Sequence, residues 1–426
     1  MKLCFLVDYR SPISRSWISY FLEREHEVHV ISTCQVEPTA GGPRSLRCIS
    51  IGLETLRGNP VLRKHLAING QDTDSVPPRS LSMGASLVQG MNSQLQRVWR
   101  WAAPYEARVA APQVSRLVQE IRPDLVHAMR IPFEAILGAH ALAKMRVPFL
   151  VSVWGNDFTL HAKKARTVAA ATRFVLKRAD ALHADCERDV RLAGEWGLDA
   201  GKPSVVLPGN GGVRLDEFLP GPRDATVAAQ WDIPIDAPIV LNARRFRPSY
   251  VRNDTFFAAI PVILESMPNA TFVCVGMRGN PVAESWIRKY RIAHAVRLLP
   301  SMKRRAMATL FQMADVAVSP STHDGTPNTL LEAMACGAFP VAGDVESVRE
   351  WIADGRNGLL CNPNHLDSVA SALVRALGDE ALRRRAAVEN REIVARRADF
   401  MSGMRRAESF YHELIGATAP AASPAA

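Results

Sequence analysis

Nowhere in the 426 residues do about 18 consecutive apolar side chains occur, so no helix is expected to span a bilayer. The opening MKLCFLVDYR carries an apolar run of only five residues before Asp8, too short for a secretory leader. Cysteine is sparse and odd in number: seven are scattered at Cys4, Cys34, Cys48, Cys186, Cys274, Cys336 and Cys361. Without a CxxC pair they exclude a disulfide framework and a zinc knuckle. His183 and Cys186 have a ligand-like spacing but no second pair, and no metal is expected. The chain also lacks a repeat of solenoid period and a basic–aromatic module for nucleic acid, so nucleic acid is not an expected partner. A reducing cytoplasm is the expected setting.

What is present is ordinary globular material, 47% hydrophobic and 22% charged. The length predicts two domains of roughly 200 residues each. Lys plus Arg (52) exceeds Asp plus Glu (42) by 10. Residues 1–215 hold 28 basic and 19 acidic side chains, or +9; residues 216–426 hold 24 and 23, or +1. One half is therefore a basic body, which points toward an anionic partner or surface.

The first half alternates short apolar runs with helical stretches. Strands are predicted at Lys2–Val7, Val28–Ile31, Leu125–Ala128, Phe149–Val153, Ala181–Ala184 and Ser204–Leu207, with helices around Trp17–Glu25, Glu134–Lys144 and Lys163–Arg178. Strands that are apolar throughout and separated by helices imply a parallel sheet covered on both faces. PGNGGVRLDEFLPGP, beginning at Pro208, reads as a linker. The series then restarts with strands at Pro238–Asn242, Ala270–Val275, Val296–Leu299, Val316–Ser319 and Phe339–Ala342. Helices are predicted at Thr255–Glu265, Arg304–Met313, Thr329–Ala335 and Asp367–Leu377. Residues 55–104 break the rhythm with a polar, turn-rich segment. A basic amphipathic stretch from Leu87 to Trp101 follows it and suits either packing on the domain or a membrane interface. The Ala/Pro-rich tail over 417–426 is expected to be disordered.

The chemistry concentrates in Ser319–Glu350, SPSTHDGTPNTLLEAMACGAFPVAGDVESVRE. A strand runs into a loop carrying Asp324 and Gly325, then into a helix carrying Glu332. Thr326 is the expected cap and Pro327 the first-turn residue. Free amides at such a helix start form an anion site, and the crevice beyond a strand's carboxyl end is where open α/β sheets bind ligands. Phosphates, sugar hydroxyls and a nucleoside would all find partners among Asp324, Gly325, Thr326, Pro327, Asn328, Thr329 and Glu332.

This stretch closely resembles the signature of the retaining nucleotide-sugar glycosyltransferases of family 4, which have the GT-B fold of two Rossmann-like domains facing each other across a cleft. Their paired glutamates, with seven residues between them, appear as Asp324 and Glu332. Ala333, Met334, Ala335, Cys336 and Gly337 follow, and then Pro340 and Val341. SVREWIADGRNGLLCNP, RADALHADCERD, LPGNGGVRLDEFLPG, RPDLVHA and HEVHVIS resemble further family segments. The resemblance implies a first domain over 1–210 on the acceptor side and a nucleotide-sugar domain over 216–399. It also implies a last helix, 400–416, that packs back on the first domain.

Carried over by position, Glu332 would hold the donor's ribose and Asp324 the transferred sugar, one methylene shorter than the family's glutamate. Arg244 matches the family arginine set against the diphosphate. The family lysine is missing; Arg252 is the nearest cation, with Arg245 and Arg247 as rivals. A guanidinium fork suits a leaving diphosphate at least as well as an ammonium. In the first domain DYRSPISRSW replaces the usual Gly-Gly loop, leaving Arg10, Ser11 and Ser14 as donors to phosphate. The family's His-Gly-x-Asp appears as Trp154-Gly155-Asn156-Asp157. Asp157 joins Asp324, Arg244 and Arg252 among the expected catalytic residues; Trp154, Asn156 and His127 are further candidates, and for His127 a packing role is the competing reading.

The resemblance implies sugar transfer from a nucleoside-diphosphate-sugar to an acceptor hydroxyl with retention, in polysaccharide, glycolipid or glycoconjugate synthesis. No cofactor or metal is expected. The implied partners are the nucleotide-sugar donor, a sugar or lipid-linked acceptor and an anionic membrane surface at the cytoplasmic face. A nucleotide-sugar 2-epimerase and an inactive carbohydrate- or lipid-binding relative are the alternatives.

Overall fold

The computed structural model describes residues 1–34, 36, 45–48 and 104–418. It divides into two compact units, Met1–Gly211 with Gly403–Ala426, and Gly212–Ser402. The division falls inside the Gly/Pro-rich stretch that begins at Pro208.

The first unit is built on strands β1 (Lys2–Val7), β2 (Glu27–Ser32), β3 (Ser45–Cys48), β4 (Leu125–Ala128), β5 (Phe149–Val153), β6 (Ala181–Ala184) and β7 (Ser204–Val206). They form one parallel sheet in the order β3-β2-β1-β4-β5-β6-β7. The strands β4, β5 and β6 are buried at every position, because helices cover both faces. Phe149, Leu137, Val114, Val126 and Leu182 belong to the apolar core between sheet and helices.

The second unit repeats the plan with β8 (Ile239–Asn242), β9 (Thr271–Val275), β10 (Val296–Leu299), β11 (Val316–Ser319), β12 (Phe339–Gly343) and β13 (Leu359–Cys361). All are parallel, in the order β10-β9-β8-β11-β12-β13. Each unit thus has a point where the strand order reverses, β1/β4 in one and β8/β11 in the other, and the crevice there is the ligand position of doubly wound sheets.

Several elements differ from expectation for local reasons. The first helix starts at Pro12 rather than near Trp17, since proline suits a first helical turn. The single helix expected over Glu134–Lys144 is a π-turn, Ile131–Ala135, followed by a short helix, Ile136–Ala141. Strand β3, with its mixed Ser-Leu-Arg-Cys sequence, carries no apolar run and was not anticipated. The stretch from Leu87 to Trp101 lies outside the described residues, as does the tail from 419; residues 417 and 418, expected in that tail, continue the last helix, Phe400–Thr418.

That last helix docks on the first unit. Tyr20 Oη donates to Glu408 Oε2 at 2.8 Å, and His26 Nε2 lies 2.7 Å from Glu408 Oε1. The Phe21 and Tyr411 rings stack with centroids 4.8 Å apart. Among the described residues no helix is long and apolar enough to cross a membrane.

Candidate functional site

In the second unit the β11 strand delivers Asp324 to the β8/β11 reversal point, and the β8 strand delivers Arg244. The structure brings these two together: Arg244 Nη2 stands 2.7 Å from Asp324 Oδ2, with both side chains mostly buried. The loop between β11 and the following helix (Asn328–Cys336) is held from three sides. Ser347 Oγ donates to the Asp324 carbonyl at 2.8 Å, and Trp351 Nε1 donates to Thr326 Oγ1 at 3.2 Å. Gly343 lets the chain approach, since a Cβ there would lie 2.0 Å from the Ser321 carbonyl oxygen.

The expected cap is displaced by one residue. Pro327 occupies the cap position and no side chain caps the helix, because Thr326 Oγ1 is engaged with Trp351. Asn328 Oδ1 and Thr329 Oγ1 in the first turn of this helix, and Ser321 Oγ in the loop before it, are buried atoms with no hydrogen-bond partner among the described residues. Orphaned polar atoms of this kind are rare in native interiors, where nearly all are satisfied. Their grouping beside the amides of a helix N-terminus fits a polar, anion-bearing ligand.

Glu332 sits one turn into that helix with intermediate exposure. Burial of its carboxyl pushes its pKa up to about 8; Arg304 pulls it down and Glu217 adds to the rise. A carboxyl held neutral this way is ready to ionise when hydroxyl donors approach.

The other predicted cations have distinct surroundings. Arg252 forks onto Asp254, with Nε–Oδ1 at 2.9 Å and Nη2–Oδ2 at 2.8 Å, and also meets Asn364 Oδ1. The Arg245 stem lies against Gly276, whose added Cβ would sit 3.0 Å from Arg245 Cγ.

In the first unit, Trp154-Gly155-Asn156-Asp157 forms a tight turn after β5, with Gly155 in the left-handed region (φ 69°). Asp157 is buried at 1% exposure. It accepts the Trp154 backbone N–H at 2.8 Å and meets Arg130 Nε at 3.3 Å. This geometry ties the expected catalytic carboxylate to holding the turn. Arg188 and Asp189, not among the residues expected from the sequence, complete the clamp: Asp189 Oδ2 accepts the Gly155 N–H at 2.8 Å and Arg188 Nη2 donates to the Gly155 carbonyl at 2.7 Å. The two are themselves paired at 2.7 Å, deep inside the protein. Desolvation raises the Asp189 pKa, and Arg188 opposes that rise. Among the described residues Trp154 Nε1 and Asn156 Oδ1 are buried without partners, one a donor and the other an acceptor.

His127 resolves toward packing. Its ring lies at 1% exposure with both nitrogens engaged, Nδ1 2.5 Å from Tyr411 Oη and Nε2 2.6 Å from Ser152 Oγ. His183 is engaged likewise, by Ser152 Oγ at 2.8 Å and the Leu207 carbonyl at 3.1 Å, so neither ring nitrogen is left for the ligation its spacing with Cys186 had raised. Ser11 precedes the first helix and makes no side-chain cap. Arg10 is paired with Asp8 at 3.0 Å.

A sequence signal for the missed residues existed in part. The adjacent Arg188-Asp189 pair lies in a helix that buries one face. Nothing local marks Ser347 or Trp351.

Two family models match the chain: "Glycosyl transferase 4-like domain" over residues 13–209 and "Glycosyl transferases group 1" over residues 237–379. A D-inositol 3-phosphate glycosyltransferase 2 of Catenulispora acidiphila is 29% identical over 213 residues, 48% of this chain and 49% of that relative. A D-inositol 3-phosphate glycosyltransferase of Xylanimonas cellulosilytica is 30% identical over 225 residues, 50% of this chain and 52% of that relative. The chain thus spans about half the length of the curated relatives it matches. Among solved structures, sucrose-phosphate synthase from Thermosynechococcus elongatus superposes with a TM-score of 0.74 at 16% identity, covering 98% of this chain and all of that one. Anabaena HepE in complex with UDP-glucose superposes with a TM-score of 0.69 at 17% identity, covering 97% of this chain and 100% of that chain.

Proposed function

The chain belongs to the family 4 glycosyltransferases, with their GT-B fold of two parallel-sheet domains, and from that membership we propose that it moves a sugar from a nucleoside-diphosphate-sugar donor to an acceptor hydroxyl with retention at the anomeric carbon. The observation that carries the reading is the Arg244–Asp324 pair at the β8/β11 reversal point, beside a helix start ringed by orphaned polar atoms.

Each group has a task in this reading. The diphosphate sits against the first-turn amides and Arg244, whose guanidinium has donors to spare beyond the one on Asp324. Leaving-group charge grows toward the transition state, where a preplaced cation stabilises it most. Asp324 orients the transferred sugar while its own charge is balanced by Arg244. The ribose hydroxyls donate to Glu332 and favour its carboxylate, so that its proton is released to solvent. Asn328, Thr329 and Ser321 supply the remaining polar contacts. In the first unit the clamped turn presents Trp154 and Asn156, a donor and an acceptor suited to a hydroxyl.

The HepE complexes with UDP and with UDP-glucose support uridine nucleotides as the first donors to try. The +9 charge of residues 1–215 supports an acceptor with an anionic group, such as a phosphorylated sugar or a lipid-linked glycan. Synthesis of a glycolipid or polysaccharide on the cytoplasmic side fits that acceptor.

The test is calorimetry with a panel of nucleoside-diphosphate-sugars on the wild type and on Glu332→Ala. Loss of binding in the variant is expected, and unchanged affinity overturns the assignment. Incubation of a labelled nucleotide-sugar without acceptor decides between classes: an epimerised nucleotide-sugar as product overturns transfer.

A further inference from the structure

Strand β8 reads Ile-Val-Leu-Asn, and its last residue is an amide at 0% exposure in an otherwise apolar run. The helix that follows, Asn253–Ser266, begins with a second amide at 1% exposure. Burying either without partners would be costly, and together they are satisfied in one order only. Asn242 Oδ1 accepts the Arg244 backbone N–H at 2.9 Å. Its other terminus must then be the NH₂, which donates to Asn253 Oδ1 at 2.9 Å. Asn253 consequently turns its own NH₂ outward, toward the Arg245 carbonyl at 3.4 Å. The two amides form a directional clasp whose ends are the N–H of Arg244 and the C=O of Arg245.

The far side of the same loop is tied to the segment that leaves β11. Thr322 N donates to the Tyr250 carbonyl at 2.8 Å and Arg252 N to the Pro320 carbonyl at 2.8 Å. The loop from 243 to 252 is therefore closed at its base by the amides and fastened at its return to the loop that carries Asp324. We propose that Asn242 and Asn253 are positioning residues that hold Arg244 in the geometry in which its guanidinium meets Asp324 and a donor diphosphate. The diphosphate role rests on the function proposed above; the clasp itself does not.

Asn253→Asp is the informative substitution. Its carboxylate still accepts from Asn242, but it has no hydrogen to offer and sets a second oxygen against the Arg245 carbonyl. UDP release from UDP-glucose, or from whichever nucleotide-sugar of the panel the wild type consumes, is followed for Asn253→Asp, Arg244→Ala and the double variant. A positioning role predicts that kcat falls about tenfold or more in Asn253→Asp while UDP affinity changes less than about threefold. It also predicts that Arg244→Ala, damaging alone, costs under about threefold further in the Asn253→Asp background, because the two changes remove one function. An equal Arg244→Ala factor in both backgrounds overturns the proposal, as does wild-type kcat in Asn253→Asp.

Thermal unfolding checks that each variant folds; if Asn253→Asp does not, Asn253→Ala takes its place, whose methyl group makes neither hydrogen bond. Hydrogen exchange over residues 243–252 needs no substrate. Faster exchange at the Arg244 amide in Asn253→Asp supports the clasp, and unchanged exchange overturns it. If the wild type consumes no nucleotide-sugar, the proposed function fails while the exchange result still decides the clasp.

Discussion

Tyr411→Phe removes one oxygen atom, yet the structure makes that atom the hinge of a buried hydrogen-bond chain. Trp17 Nε1 donates to Tyr411 Oη at 2.9 Å, and the chain continues through His127 and Ser152 to His183 and the Leu207 carbonyl. Every proton in it is assigned by its ends. The indole can only donate and the Leu207 carbonyl can only accept, so Tyr411 donates to His127 Nδ1, His127 Nε2–H to Ser152, and Ser152 to His183 Nδ1. Both histidines must be neutral, which agrees with their pKa values: burial, reinforced by the neighbouring His183, holds His127 well below the usual range, and burial brings His183 down to about 4.

Without the phenol oxygen, Trp17 N–H and His127 Nδ1 are both left unpaired at 1% exposure. Each orphan costs about 1–3 kcal/mol, so a loss of about 2–6 kcal/mol is expected. A tautomer switch does not heal the break: moving the His127 proton to Nδ1 reverses Ser152 and His183 in turn and leaves His183 Nε2 facing a carbonyl. Because Tyr411 lies on the last helix, hydrogen exchange of residues 403–418 is the assay. A loss of 2 kcal/mol corresponds to roughly 30-fold faster exchange through opening of that helix. Exchange within about threefold of wild type, equivalent to under about 0.7 kcal/mol, would refute the assigned chain.

Four further outcomes are expected. Arg244→Ala is expected to lower turnover more than donor affinity, because leaving-group charge peaks in the transition state; equal donor affinity and equal turnover contradict it. Nucleotide binding at pH 7 should release a proton from Glu332, whose carboxyl is held near 8 when unliganded; calorimetry in buffers of different ionisation enthalpy reads this, and Glu332→Gln should abolish it. Because that folded pKa lies above the unfolded value near 4.5, Glu332 lowers stability as pH rises from about 4.5 to about 8, and Glu332→Gln should flatten that part of the unfolding profile. His183 acts at the other end: its folded pKa is depressed from 6.5 to about 4, so the unfolded chain takes up the proton first and stability falls as pH drops through that window. His183→Gln should remove part of the fall, as followed by thermal unfolding against pH.

The site was legible to different depths. Asp324 and Glu332 stand out because a strand–loop–helix places them eight residues apart on one element, and Arg244 because arginines crowd a strand's end. Their pairing was not legible, since Arg244 and Asp324 are 80 positions apart and meet only through the adjacency of β8 and β11. His127 illustrates the limit. A histidine at a strand end offers two readings, and the deciding partner, Tyr411, lies 284 positions away. Asp157 was read as a catalytic group from its place in a motif, while its burial against Trp154 N–H depends on how the turn folds.

Apolar runs of four to six residues separated by helical stretches are a local property, so the sequence alone determined two doubly wound parallel units and the loop that carries Asp324. Which side chains face each other is set by strand order and by the backbone carbonyls that fix each proton's direction. The Asn242–Asn253 clasp, the Arg188–Asp189 clamp on Gly155 and the chain from Trp17 to Leu207 arise there. Buried polar groups must be satisfied by whatever the fold brings within about 3 Å, and that neighbourhood is a property of the tertiary structure.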